Sequence, residues 1–241
     1  MNPIFQREAR LIGEEGVCCL ARCRAAVFGL GGVGSFAAEA LIRAGVGYLL
    51  LIDGDVVEES NLNRQLVAEQ GTLGQAKADI MAGRAHRINP ACTVQVLKTF
   101  YKPGDVEFIR NLQADFVIDA IDDVPAKISI AQTCSALHIP EASAMGTGNK
   151  LHPEQLEIGD IYGTSVCPMA RKIRKELKAL KVPGLTVVYS KEQPHRPIGE
   201  GHAPGSISFV PPAAGMILAG IAVRTMLEQK ESYDEIQDSA P

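Results

Sequence analysis

The sequence predicts an α/β protein with a doubly wound, Rossmann-like, mainly parallel sheet and helices on both faces. Short apolar runs recur between longer helical stretches, a glycine-rich turn follows the first run, and acidic residues close the second and fourth. With 241 residues, 46% of them apolar and 22% charged, the chain is large enough for a substantial core and is not disordered as a whole.

Residues 25–29 read as the first buried strand, followed by a helix from Val33 to about Ala44. A second buried strand covers 48–53, then comes a polar loop of about 20 residues and a helix over 75–87 that Asn89-Pro90 stops. Residues 93–97 alternate like a strand, 104–110 form a short helix, and 115–119 are another buried strand. A helix over 125–137 and an extended segment over 139–144 complete a core of residues 25–145.

The extension, 146–227, has a possible strand near 155–158, a basic helix over 169–181, a strand over 185–189, and a Pro/Gly-rich loop over 191–205 whose composition reads as a mobile flap. No linker-like break precedes it, so it is expected to continue the same sheet within a single domain of residues 1–227. An acidic tail, 228–241, follows. The apolar stretch 207–227 carries Pro211, Pro212 and Arg224, and reads as a buried helix, not a membrane span.

Six cysteines are diluted over the chain, and charges interrupt every apolar run at the N-terminus. The thiols are therefore expected to be reduced and the protein cytoplasmic. The net charge of −4 confines any nucleic-acid contact to a local patch.

The turn Gly29-Leu-Gly31-Gly32-Val-Gly34 lies where a strand ends and a helix begins, a place where backbone and helix N-terminus favour a phosphate. Asp53 closes the next strand and is placed to accept from a ribose, which fits NAD or ATP. Beyond it run Asp55, Ser60, Asn61 and Arg64, then Lys77. An arginine and a lysine over the nucleotide suit a polyphosphate and have no work in a dehydrogenase. Asp122, past the fourth strand, would face the same crevice, where a carboxylate beside a triphosphate holds Mg2+.

With GxGGxG, the D-x-D…S-N-x-x-R-Q loop, the following Lys77 and the D-x-x-D strand end, residues 5–145 resemble the ubiquitin-activating-type adenylyltransferases. The resemblance implies that Gly32 and Asp53 bind the nucleotide, that Asn61, Arg64 and Lys77 line the phosphates, and that Asp122 binds Mg2+. It further implies a homodimer in which an N-terminal arginine, Arg7 or else Arg10, enters the neighbouring site. Arg7, Arg64, Lys77 and Asp122 are thus the expected catalytic set, for attack of a carboxylate on the α-phosphorus of ATP.

No CxxC pair is present, so a structural zinc is not expected. Residues 146–150, 160–166, 171–177, 188–190 and 205–211 resemble the tRNA threonylcarbamoyladenosine dehydratase branch, which implies ATP-driven ring closure of that nucleoside beside the anticodon. A tRNA substrate needs nearby cations, and Arg171, Lys172, Arg174, Lys175, Lys178 and Lys181 face only Glu176 on the basic helix. Ile173, Leu177 and Leu180 are expected to form its apolar seam, with Arg196 and His195 adding cationic surface. Some members of the resembled family form a thioester on a cysteine downstream of the nucleotide site, and Cys167 precedes a helix start that favours a thiolate, yet ring closure needs no thiol. Two alternatives stay open: activation of a ubiquitin-like sulfur carrier's C-terminal glycine, with a sulfur-transfer partner, and a nicotinamide-dependent oxidoreductase or nucleotide sensor.

Overall fold

The computed structural model describes residues 2–198 and 204–238, with side chains described as far as residue 229. Seven strands form one sheet: β1 (Arg24–Phe28), β2 (Tyr48–Ile52), β3 (Thr93–Leu97), β4 (Phe116–Asp119), β5 (Glu141–Ala144), β6 (Leu156–Asp160) and β7 (Thr186–Ser190). Their order is β3-β2-β1-β4-β5-β7-β6. Every pair is parallel except β6 with β7, which is antiparallel. The strand order reverses direction at β1, so a crevice opens between the ends of β1 and β4, where doubly wound sheets bind ligands.

Period-two alternation divides the strands between two cores. Ala25, Val27, Leu49 and Leu51 pack under α2 (Gly34–Arg43), α3 (Lys77–Ile88) and α7 (Val210–Asp238). Ala26, Phe28, Leu50 and Ile52 face α4 (Val106–Leu112) and α5 (Val124–Leu137) on the other side. A third cluster joins Ala131 of α5 to Ala170, Ile173 and Leu177 of α6 (Pro168–Ala179) and Val187 of β7. The expected extension of the sheet by the second half is what β7 and β6 provide.

Local chemistry sets the boundaries. Asp105 Oδ1 accepts from Phe108 N to cap α4, and Asp123 Oδ2 from Ala126 N to cap α5. Gln113 and His138 end those helices in the left-handed region. A helix absent from the sequence reading, α1 (Gln6–Leu20), precedes β1 and is broken at Gly13, φ +75°. Its apolar residues are interrupted by charges, and only Val17, Cys19 and Leu20 are buried.

The long helix α7 runs to Asp238, so residues expected as a tail continue a helix, and only 239–241 lie outside the described residues. Its stretch Val210–Gln229 is long and apolar enough to cross a membrane, yet half of it is buried inside the molecule, chiefly on α2. A Cβ on Gly215 would lie 2.2 Å from the Val33 carbonyl oxygen, so this close packing depends on a glycine. None of the six cysteines is in a disulfide; Cys18 is exposed and the rest are buried.

Candidate active site

Register places the site. Phe28 pairs with both Ile52 and Asp119, so Gly29, Asp53 and Ala120 leave the sheet at one level. Gly29 turns with φ +82°, and a Cβ on Gly34 would sit 1.7 Å from the Gly29 carbonyl oxygen. No other residue type fits that return of the chain into α2. Leu30 N donates to Asp53 Oδ2 at 2.6 Å and Asp55 N to Oδ1 at 2.7 Å, so Asp53 ties the glycine turn to the end of β2. Burial pushes its carboxyl above the ordinary value, opposed by these two N–H donors and by Lys77.

A cavity of about 860 Å³ lies over this turn. Its wall includes Gly29, Gly31, Gly32, Asp53, Asp55, Asn61, Arg64, Lys77 and Asp122. Two expected nucleotide residues are not on it. Gly34 is turned against Gly29, and Ser60 serves the loop itself, its carbonyl accepting from Arg64 Nη1 at 2.8 Å.

The loop is internally braced. Asn61 is buried, its Oδ1 accepting from Glu58 N, and Arg64 Nη1 also donates to Asn63 Oδ1 at 2.9 Å. Lys77 is 5% exposed and pairs with Asp55 Oδ2 at 2.9 Å. The cations are therefore positioned before any ligand arrives.

Beneath Asp122 lies a buried knot. Lys127 Nζ sits 2.8 Å from Asp119 Oδ2, Ser143 Oγ donates to the same oxygen at 2.6 Å, and Lys127 also reaches the Ile121 carbonyl at 3.1 Å. Burial and the Asp119 charge hold the neighbouring Glu141 carboxyl well above the ordinary range. The knot fixes the turn over 119–123, leaving Asp122 exposed on the cavity wall with no hydrogen bond or ion pair among the described residues. No group of three metal-binding side chains occurs among the described residues. One free carboxylate fits Mg2+, which keeps waters and takes its other ligands from phosphates.

The far wall comes from the extension. Gly146, Thr147, Gly148, Asn149, Lys150, Cys167 and Met169 line it. Asn149 N donates to the Gly205 carbonyl, and Gly205 N returns to Asn149 Oδ1 at 2.6 Å. Asn63 Nδ2 donates to Ser206 O, joining this wall to the nucleotide loop. The segment read as a mobile flap is thus pinned at both ends: buried Glu192 accepts from Leu151 N and His152 N, and Gly205 is held by Asn149. Its residues 199–203 lie outside the described ones.

From the cavity, α6 descends the side of the molecule. Arg171, Arg174, Lys175, Lys178 and Lys181 line a groove of about 710 Å³ with Tyr162 and Val182. Lys172 is exposed but outside the groove. Arg174 is held inward, donating to the Thr164 carbonyl at 2.6 Å and hydroxyl at 2.7 Å. The apolar seam is Ile173 and Leu177. Leu180, expected within it, is 43% exposed because the helix ends at Ala179 and Val182 fills the place below.

Arg7 and Arg10 are exposed on α1 and line no part of this cavity. Phe5, just before α1, packs over Gly45, at the opposite end of α2 from the glycine turn. Sequence reasoning missed Gln65, whose Oε1 is buried without a partner among the described residues, and Thr99, Phe100 and Tyr101 after β3. Gln65 carried a signal, standing next to Arg64 in the loop motif. The residues after β3 carried none.

A protein named tRNA threonylcarbamoyladenosine dehydratase from Bacillus subtilis is 40% identical over 243 residues, covering 94% of this chain and 96% of the relative. A crystal structure of E. coli tRNA N6-threonylcarbamoyladenosine dehydratase, TcdA, in complex with ATP superposes with a TM-score of 0.88 at 34% identity, covering 95% of each chain. The adenylyltransferase and sulfurtransferase MOCS3-2 of Zea mays is 36% identical over 137 residues, 56% of this chain and 28% of that one. The ThiF family model matches residues 5–236, nearly the whole length, and the chain belongs to the ThiF family.

Proposed function

We propose that this chain is an ATP-dependent tRNA threonylcarbamoyladenosine dehydratase, which activates the threonyl carboxylate as an acyl-adenylate and closes the ring with loss of AMP. The observation that carries the chemistry is the single cavity on which the glycine turn, Asp53, Asn61, Arg64, Lys77 and Asp122 meet. Adenylation needs positioning and charge neutralisation, and an ionised carboxylate needs no base to attack phosphorus. Asp53, anchored by two backbone N–H groups, retains acceptor capacity for a ribose hydroxyl. Arg64 and Lys77 face the polyphosphate, and unpaired Asp122 holds Mg2+. The metal, when bound, neutralises charge developing on the phosphate oxygens.

The choice of acceptor rests on extent of similarity. Likeness to the named dehydratases runs through both halves of the chain, whereas that to the sulfurtransferase covers 56% of it. Activation of a sulfur carrier's C-terminal glycine is the second reading, since the nucleotide wall would serve it equally. It would bring a sulfur-transfer partner.

The cationic groove beginning one helical turn from the cavity takes tRNA phosphates, with Arg171, Lys175, Lys178 and Lys181 toward solvent and Arg174 bracing the groove wall. The enzyme works as a cytoplasmic homodimer in which Arg7 or Arg10 completes the partner's site, consistent with the distance of α1 from its own. Purified protein, ATP, Mg2+ and tRNA bearing threonylcarbamoyladenosine, followed by nucleoside mass spectrometry, test the reading. Loss of one water from that nucleoside is expected. An unchanged nucleoside from protein that binds ATP and adenylates a carrier's glycine would establish the second reading instead.

A further inference from the structure

One buried titratable group on the cavity wall has no part in adenylation. Lys150 is 4% exposed and lines the far wall with Gly146, Cys167 and Met169. An ammonium has three donors. Among the described residues, the one acceptor of Lys150 is the Ser190 carbonyl, at 3.5 Å, the long limit of a hydrogen bond.

No carboxylate among the described residues pairs with it. Glu192, whose charge acts on it, is already committed to Leu151 N, His152 N and His195 Nε2. Burial lowers the Lys150 pKa, while Cys167 beside it and Glu192 work in the opposite direction. Burial therefore shifts Lys150 toward the neutral amine relative to an exposed lysine.

The second half-reaction releases a proton into this cavity. Of the other acidic or basic residues described on the wall, Asp122 is given to the metal and the rest are engaged. Asp53 holds two backbone N–H groups, Asp55 pairs with Lys77, and Asp123 caps α5. Glu58 accepts from its own 3-10 turn, and no histidine lines the cavity among the described residues.

Building on the dehydratase reading, we propose that Lys150 is the proton acceptor of ring closure. Adenine N6, the urea nitrogen not bonded to the threonyl α-carbon, forms a C–N bond to the threonyl carbonyl carbon to close a five-membered ring, and the C–O bond to AMP breaks with its electron pair leaving on the phosphate. The N–H proton passes to Lys150 Nζ and is returned to solvent as AMP and the cyclic nucleoside depart. Adenylation before this step needs no proton acceptor, so Lys150 separates the two halves of the reaction.

The test uses full-length protein with modified tRNA, ATP and Mg2+, reading ATP–pyrophosphate exchange for adenylation and single-turnover nucleoside mass spectrometry for closure. Lys150→Met is expected to keep exchange within about twofold while closure slows about 100-fold or more. The acyl-adenylate then accumulates and is trapped by hydroxylamine as a hydroxamate. Lys150→Arg, which keeps the charge but gives up no proton at neutral pH, is expected to behave like Lys150→Met. In Lys150→Ala, small primary amines are expected to restore closure, faster with the more basic amine.

Closure at the wild-type rate in Lys150→Met overturns the proposal. So does closure restored by arginine, which would mark a need for charge alone, or a parallel fall of exchange and closure in a variant that melts like the wild type. If Lys150→Met fails to fold, the arginine variant and the amine series decide. Closure abolished by Cys167→Ala but retained in Lys150→Met gives the proton to the thiol. Wild-type protein that supports neither exchange nor closure overturns the dehydratase reading itself, a failure distinct from all of these.

Discussion

Asp53 shows how much one side chain can do before any ligand arrives. Both its oxygens receive backbone N–H groups from the two segments that shape the nucleotide turn. Asn in its place keeps one acceptor and sets an NH2 against an N–H. Asp53→Asn is expected to cost about 1–3 kcal/mol of stability and to weaken ATP binding at least about tenfold in calorimetry. Asp122 is the opposite case, exposed and unpaired, so Asp122→Ala should melt within about 0.5 kcal/mol of wild type while losing Mg2+-dependent pyrophosphate release. Retained turnover in that variant would remove its metal role. The glycine turn, Asp53 and Asp122 were legible because each sits at a strand end that the apolar runs delimit. Lys150 and Phe100 were not, since what makes them wall residues is contact between segments far apart in the chain.

Among the elements, α6 was read correctly as basic and amphipathic, but periodicity assigns a face and cannot name a partner. Arg174 turned out to be held by Thr164, which the chain places beside it after climbing from β6. Removing Lys175, Lys178 and Lys181 together should weaken tRNA binding and reduce the slope of log affinity against log salt by about 2–3, with ATP affinity unchanged. An unaltered slope would take the groove out of the interface.

A second element-level contact joins α2 to α3. Glu39 is buried between Arg84 at 2.7 Å and Arg43. Burial alone would raise its carboxyl, but the hydrogen bonds and charges of Arg84 and Arg43 bring it below the ordinary 4.5. A lowered carboxyl contributes stability above its unfolded value that is lost as pH falls through the folded one. Melting temperature should therefore drop more steeply below about pH 4.5 in the wild type than in Glu39→Gln, which should itself be about 1–3 kcal/mol less stable at neutral pH.

For the whole molecule, the alternation of the parallel strands carried the architecture, because strands buried on both faces leave continuous apolar runs. The reversal of β6 was hidden: it lies at the sheet edge and has no hairpin turn before β7. The sheet order places one complete nucleotide wall in each chain, but Arg7 stands at a distance from it. If the partner's Arg7 completes the site, Arg7→Ala and Asp122→Ala are each inactive alone. Mixed and allowed to exchange subunits, they should recover about a quarter of wild-type turnover, since half the dimers then hold one intact site. No recovery in mixtures shown to exchange would confine the site to a single chain.

The close approach of backbone to Gly34, where a Cβ would lie 1.7 Å from the Gly29 carbonyl oxygen, also bears on how such a protein diversifies. At Gly34 the turn is locked by close backbone approach, so no larger residue can enter that position. The facing wall is held by a few hydrogen bonds between loops, as at Asn149 and Gly205. Sequence drift in those loops can reshape what is activated while the machinery for ATP stays as it was.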